Sequence, residues 1–324
     1  MKLQQLRYIW EVAQHELNVS ATAESLFTSQ PGISKQIRLL ESELGIDIFA
    51  RNGKHFTALT PGGQQIVNVA GEILAKVHDI RQIADEYLDK DLGILTIATT
   101  HTQARYVLPP IIQQFMRRYP RIKLTINQGS PPQIAEQVSR GIADLAIATE
   151  TTDIFENLVT LPCYQWNRSV LVPHDHPLIG QPDVTLAELS KYPIITYTFG
   201  FTGRSQLDRA FEGAGLHPQL SLTAVDADVI KTYVRLGLGV GVVAHMAYDP
   251  VQDSDLTAIE VGHLFAPSIT KVVLRRDMFL RDFLYDFINM FAPQLSRELI
   301  DQAMHLRDKR ELEELFKDVP LPLH

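Results

Sequence analysis

Between residues 20 and 38 the chain carries side chains that can read a double helix: Ser20, Thr28, Ser29, Gln30, Pro31, Ser34, Lys35 and Arg38. A glutamine can pair bidentately with adenine, an arginine or lysine with guanine, and a serine with a base edge or a phosphate. These groups share one face only if a helix starts at Gln30-Pro31 and turns Ile33, Ile37, Leu40 and Leu44 inward. Ser29 is then a natural N-cap, Pro31 in the first turn loses no hydrogen bond, and Gly45 is a plausible stop. The free N–H groups of that helix start also favour a phosphate. Taken alone, a helix face with a few cations is as readily a solvated surface.

A second chemistry lies in three threonine-rich turns. Thr99-Thr100-His101-Thr102-Gln103-Ala104-Arg105 follows the first strand of the C-terminal part, Thr149-Glu150-Thr151-Thr152 another strand, and Thr198-Phe199-Gly200-Phe201-Thr202-Gly203 a third. Hydroxyls, an amide and backbone N–H groups can hold a small anion or polar metabolite without a full opposing charge. No dense Lys/Arg cluster of the kind a polyphosphate needs is present. Each cluster taken singly reads more readily as a helix cap. Together they can converge on one crevice at strand ends.

The elements that must position these groups can be read from periodicity. Leu3, Leu6, Ile9 and Trp10 predict a first helix ending near Asn18, and residues 20–26 predict a second. Residues 51–56, polar with Gly53 at the tip, suit a small β-wing. Thr60-Pro61 then caps a long helix in which Ile66, Ile73, Ile80 and Tyr87 recur every seven residues. That repeat predicts a dimerising helix, or else a helix packed on its own domain. From Asp91 onward strands (94–98, 122–127, 144–148, 169–172, 194–197, 240–243, 271–274) alternate with helices (111–118, 134–140, 205–214, 227–236). The alternation predicts one or two open, largely parallel α/β sheets. The tail after Arg281 reads as helical, with Pro320 to His324 loose.

With 324 residues, the chain should hold two domains or more at roughly 150 residues each. Its 45% apolar and 21% charged residues are those of a globular protein. The single cysteine, Cys163, can form no intrachain disulfide and reads as a buried packer. No apolar run approaches the ~18–20 residues of a membrane span, and Arg7 and Glu11 interrupt any signal-peptide core, so a cytoplasmic location is expected. The net charge of −8 argues at first sight against nucleic acid, yet residues 1–56 sum to zero, with Lys35, Arg38, Arg51 and Lys54 clustered.

Enzyme readings find little support. Gly237-Leu238-Gly239-Val240-Gly241 follows a helix and precedes a strand, the reverse of a dinucleotide site, and suits a helix C-cap with close packing. His174-Asp175-His176 lacks a third metal ligand. No Gly-x-Ser-x-Gly elbow or Walker loop is present. A solute-binding protein shares the expected sensor fold, but the first sixty residues speak against it.

The run Ser20-Ala21-Thr22-Ala23-Glu24-Ser25-Leu26, then Ser29 to Ile37, Leu40-Glu41, Leu44-Gly45, Phe49, Arg51 and Thr60-Pro61-Gly62-Gly63, resembles LysR-type transcriptional regulators. It departs in Thr22 and Gly32, where alanine is usual, and Gly32 should cost about 1 kcal/mol of helix propensity. The resemblance implies an α/β chain with an N-terminal all-α winged helix-turn-helix (1–59), a linker and dimerisation helix (60–89), and a two-lobed periplasmic-binding-protein-like effector domain (90–324). It implies double-stranded DNA as partner, a dimer of dimers, RNA polymerase contact, and no enzymatic activity, cofactor or metal. The wing would touch the minor groove or its phosphates through Arg51, Lys54 and His55.

Segments 98–106, 128–131, 162–169, 197–205 and 226–234 are similar, within that family, to activators of cysteine-biosynthesis genes. That likeness implies N-acetylserine as effector, with sulfide or thiosulfate opposing it and sulfate also accepted. Thr100, Thr102, Gln103, Thr149 and Thr202 would line the pocket, with Trp166 nearby. A related regulator of sulfonate-use genes is the alternative.

Overall fold

Apolar spacing places the first helices as expected, and a computed structural model describes residues 1–53, 55–149, 155–181 and 183–324. The chain divides into two units, Met1–Ala84 and Asp85–His324. In the first, α1 (Leu3–Gln14), α2 (Val19–Ser25) and α3 (Gln30–Leu44) precede the hairpin β1 (Phe49–Asn52) and β2 (His55–Leu59). Ile9, Ile33, Ile37, Leu40 and Ile48 are its fully buried centre. The first helix stops at Gln14 rather than near Asn18. Glu16 and Leu17 have positive φ, and the Asn18 side chain accepts from the N–H groups of Ser20 and Ala21, so Asn18 caps α2 instead.

Helix α4 (Pro61–Leu88) follows, its start capped by the Thr60 hydroxyl, which accepts from Gly63 N–H at 2.8 Å. Two glycines let it approach the chain before the hairpin and the first helix. A Cβ on Gly63 would stand 2.0 Å from the Ile48 carbonyl oxygen, and one on Gly71 would stand 2.3 Å from the Trp10 ring. The seven-residue repeat divides along this helix. Ile66 and Ile73 pack against the core of the first unit, whereas Ile80 and Tyr87 are 66% and 88% exposed.

The second unit holds two five-stranded sheets. One contains β3 (Gly93–Thr99), β4 (Ile122–Gln128), β5 (Leu145–Ala148), β6 (Leu158–Trp166) and β12 (Ser268–Arg275), in the order β4-β3-β5-β12-β6. The other contains β7 (Arg168–Pro173), β8 (Ile194–Tyr197), β9 (Leu220–Ala224), β10 (Val240–Ala244) and β11 (Leu256–Glu260), in the order β11-β7-β10-β8-β9. The chain crosses between the lobes twice, at Trp166–Arg168 and between β11 and β12. These crossings correct the expectation of largely parallel sheets. β3 pairs parallel with β4 and β5, and β8 with β9 and β10, but β12 and β7 pair antiparallel with both neighbours. The unexpected β6 carries Pro162 opposite a register shift at Thr270/Lys271, where a missing N–H costs the ladder least.

A π-helical turn (Gln103–Val107) leads into α5 (Leu108–Arg118), and α6 (Pro131–Ser139) covers the same lobe. The second lobe carries α7 (Leu186–Leu189), α8 (Arg204–Gly213) and α9 (Ala227–Arg235). The tail forms α10 (Asp282–Phe291), α11 (Arg297–His305) and α12 (Lys309–Phe316). Its last residues are not loose. Gln165 N–H donates to Pro322 O at 2.8 Å, and His324 N–H donates to Gln165 O at 2.8 Å, so the terminus lies along edge strand β6. Cys163 is buried, and burial pushes its thiol up to about 12. Gly237 ends α9 with φ 71°, as a cap glycine does, and a Cβ on Gly239 would stand 2.3 Å from Pro193 O. Both ring nitrogens of His174 are engaged, with Thr257 Oγ1 at 2.8 Å and Ser254 O at 2.7 Å. Among the described residues no helix is long and apolar enough to cross a membrane.

Candidate functional site

In the first unit α3 presents Gln30, Pro31, Lys35 and Arg38 outward, with Ser34 half-buried beside them. Ser20, Thr28 and Ser29 are exposed on the preceding helix and turn. The Ser29 hydroxyl accepts from Gly32 N–H at 3.3 Å and Pro31 carries no N–H, so Gln30 N–H is the group that this helix start leaves open for a phosphate. A Cβ on Gly32 would approach that same hydroxyl to 3.0 Å, so glycine here spares the cap.

Arg51 stands apart from this group. Its guanidinium donates to the Glu41 carboxylate, lies 3.7 Å from Asp47, and sits 5.2 Å above the Phe56 ring. Buried Glu41 also accepts from Ile48 N–H at 2.9 Å and Phe49 N–H at 3.2 Å. Arg51 therefore ties the wing to α3. Lys54 lies outside the described residues, and His55 is exposed at the wing. Phe27 was missed by reading types and spacing alone. It is 98% exposed with φ 50°, an aromatic held in a left-handed conformation within the turn before α3.

The second site lies where the lobes of the second unit meet. Thr100 and Thr102 follow β3, and Thr202 follows β8. All three are buried, and the hydroxyls of Thr102 and Thr202 are 3.2 Å apart across the lobes. Thr202 has φ 41° and Gly203 φ 73°, a tight turn that aims Thr202 at the first lobe. The Thr100 hydroxyl makes no hydrogen bond among the described residues.

Gln103, Thr149 and Trp166 meet through a residue that sequence reading missed, Thr270. The Gln103 amide donates to Thr270 Oγ1 at 3.3 Å, Thr149 Oγ1 lies 3.1 Å from it, and the Trp166 indole N–H donates to Thr149 at 3.4 Å. Tyr164 O–H donates to Gln103 Oε1 at 2.6 Å. Burial raises the Tyr164 phenol and pushes Tyr197 up to about 12, so both remain neutral donors. Of the second threonine turn only Thr149 is described; residues 150–152 lie outside the described residues.

The charge at this site comes from Arg168, 3% exposed and also missed. It donates to Gly203 O at 2.5 Å, Ser268 Oγ at 2.9 Å and Ala266 O at 3.3 Å, and it stacks 5.1 Å from the Trp166 ring. A Cβ on Gly203 would fall 2.2 Å from its Nη2. Ser268 and Thr270 alternate in phase with Val272 and Leu274 on one strand, the one signal that could have marked them. A buried guanidinium, several neutral hydroxyls and two helix starts form a setting for a small anion.

Comparison with known proteins agrees with both halves. Residues 3–64 match the bacterial regulatory helix-turn-helix protein family of lysR type, and residues 89–296 match the LysR substrate binding domain. The chain is 51% identical over 321 residues to the HTH-type transcriptional regulator CysB of Haemophilus influenzae, covering 99% of each. It is 50% identical over 296 residues to the HTH-type transcriptional regulator SsuR of Burkholderia cenocepacia, covering 91% of this chain and 96% of that one. The crystal structure of the cofactor-binding domain of the Cbl transcriptional regulator is similar with TM-score 0.64 and 42% identity, covering 66% of this chain and 95% of that one. These relatives are transcriptional regulators rather than enzymes. With both of its halves matched, the chain belongs to the LysR family of transcriptional regulators.

Proposed function

We propose that this regulator activates genes of cysteine biosynthesis and sulfur assimilation in response to N-acetylserine, with sulfate or thiosulfate as accessory or opposing ligand. The observation that carries the ligand class is the meeting of Thr102 and Thr202 beside buried Arg168, with Thr100 buried two residues before Thr102, hydroxyl donors near one positive charge. A small carboxylate bearing hydroxyl and amide groups suits such donors, and a polyphosphate does not. Gln103, Thr149 and Trp166 support that wall, their polar atoms largely engaged with one another through Thr270.

In this reading residues 1–59 read DNA, 60–89 pair two chains and 90–324 sense the effector. Gln30, Ser34, Lys35 and Arg38 take the base edges. Ser20, Thr28, Ser29, Pro31 and Lys54 lie along the backbone, and Arg51 holds the wing that carries Lys54. Two pairs assemble on one operator and contact RNA polymerase. The effector acts by binding one arrangement of the lobes better than another. The sequence resemblance supports a second reading beside it, control of sulfonate-use genes through the same site.

Calorimetry of the full chain with N-acetylserine, sulfate and thiosulfate tests the assignment. Saturable heats that Thr100→Ala and Thr202→Ala weaken at least tenfold are expected, with operator binding retained in the absence of effector. Equal heats in wild type and both variants place the effector elsewhere.

A further inference from the structure

On the first lobe, away from Thr100 and Thr202, a cavity of about 960 Å³ opens between strands β6 and β12 and the final helix α12. Leu158 and Phe316 are buried and line its inner wall, with Leu312 beside them. Lys271, Arg276, Arg307, Lys309 and Lys317 line it against three acids, Glu156, Asp277 and Glu313, which leaves a surplus of positive charge. Arg276 uses Nη2 to donate to Leu158 O at 3.1 Å, while its Nη1 is buried with no hydrogen-bond partner. Lys271 and Arg307 form no ion pair among the described residues.

A guanidinium nitrogen left unsatisfied beside a second arginine is costly, and folds retain such a group where something else completes it. Burial, then the neighbouring Arg307 charge, push Arg276 below the usual arginine value, while Asp277 opposes them only in part. Arg276 and Arg307 line the same cavity, and two guanidinium groups on one cavity suit the oxygens of one oxyanion. The cavity is far larger than an inorganic ion, and its inner wall is apolar. Arg307, Leu312 and Phe316 come from the chain after residue 296, outside the stretch matched to the substrate-binding family.

We propose that this cavity is a second ligand site, for an organic anion whose oxyanion head lies between Arg276 and Arg307 and whose apolar body covers Leu158 and Phe316. The ligand spans β6, β12 and α12, so its binding fastens the tail helix to the sheet that carries Tyr164, Trp166 and Thr270. This site is separate from the threonine site and takes a different class of molecule, one with an apolar body.

The probe is 8-anilinonaphthalene-1-sulfonate, whose sulfonate and fused rings match head and body, titrated by fluorescence into the full-length protein. Saturable binding of one dye per chain is expected. Arg307→Gln should weaken it at least tenfold with an unchanged melting temperature, since Arg307 is exposed. Arg276→Gln should do the same if it folds, and Lys191→Gln on the other lobe should leave binding within twofold. Uptake without saturation, or equal affinity in wild type and Arg307→Gln, overturns the proposal.

Discussion

At the scale of single residues, the proposed effector site depends on one turn. Gly203 holds φ 73°, and its missing Cβ leaves the space that Arg168 Nη2 and Ser268 Oγ occupy. Gly203→Ala combines a left-handed penalty with displacement of a buried guanidinium, mechanisms that together destabilise by about 2–4 kcal/mol. A urea titration should show the lower midpoint, and the effector response should fall with it. A midpoint within experimental error of wild type would mean Arg168 is held by other contacts. The residues around this turn also show where reading the sequence stops. Thr100, Thr102 and Thr202 stood out because they cluster locally after strands. Arg168, Ser268 and Thr270 did not, because they reach the site only through the two lobe crossings, a pairing over about a hundred residues that local pattern does not encode. Arg51 shows the converse. Its type and position suited a phosphate contact, and only the fold reveals Glu41 beside it.

At the scale of elements, boundaries followed caps that the sequence displays, and misplacements followed caps whose owner was ambiguous. Ser29 and Gly45 bracket α3 as expected, whereas Asn18 served the helix after it rather than the one before. Helix α4 meets α1 where Gly71 faces Trp10, so Gly71→Ala sets a helix-propensity gain of about 1 kcal/mol against an overpacked ring. At 2.3 Å the ring must move, and the variant should unfold several degrees earlier by calorimetry despite its better helix former. A rise in melting temperature would show that Trp10 can yield freely.

Helix α9 gives a pH dependence. Its Lys231 donates to Asp253 at 3.0 Å, and Tyr106 of the first lobe donates to Asp228 at 2.8 Å. Burial raises both carboxyls, but hydrogen bonds from Tyr106 and Lys231 to Asp228, and from Asp249 N–H, Lys231 and Arg235 to Asp253, more than offset it. Both therefore titrate below the ordinary aspartate value of about 3.9. Groups depressed in the folded state stabilise it fully above that value and lose the contribution as pH falls through their lowered values. Urea midpoints should hold from pH 7 to about 5 and drop steeply below about 4. Asp228→Asn should shallow that drop, and an identical acid profile in the variant would remove Asp228 from the account.

At the scale of the whole molecule, charge and length set a requirement that one chain does not meet. The net charge of −8 lies entirely after residue 56, and the reading head is neutral overall, so on the proposed reading attraction to phosphate rests on Lys35, Arg38 and Lys54. Few phosphate contacts per head mean weak, salt-sensitive binding, with a slope of about −0.9 per contact. Specific occupancy then needs linked heads, whose effective concentration multiplies modest affinities. On the proposed reading the long helix supplies the link. Its seven-residue repeat divides: Ile66 and Ile73 complete the core of the first unit, while Ile80 and Tyr87 remain exposed in the single chain. Sequence periodicity could not divide the repeat, because the inner and outer halves have the same apolar types. Bare isoleucine and tyrosine at heptad spacing suit a second copy of the same helix. Ile80→Lys should therefore leave the melting of the single chain unchanged, since Ile80 is 66% exposed there. It should weaken self-association at least tenfold by sedimentation, and operator affinity should fall with it, with a shallower salt dependence because fewer heads engage. If the variant sediments as wild type does, the pairing surface lies elsewhere. If it dissociates yet binds the operator unchanged, the requirement for linked heads fails, and a single neutral head must reach its affinity through base contacts alone.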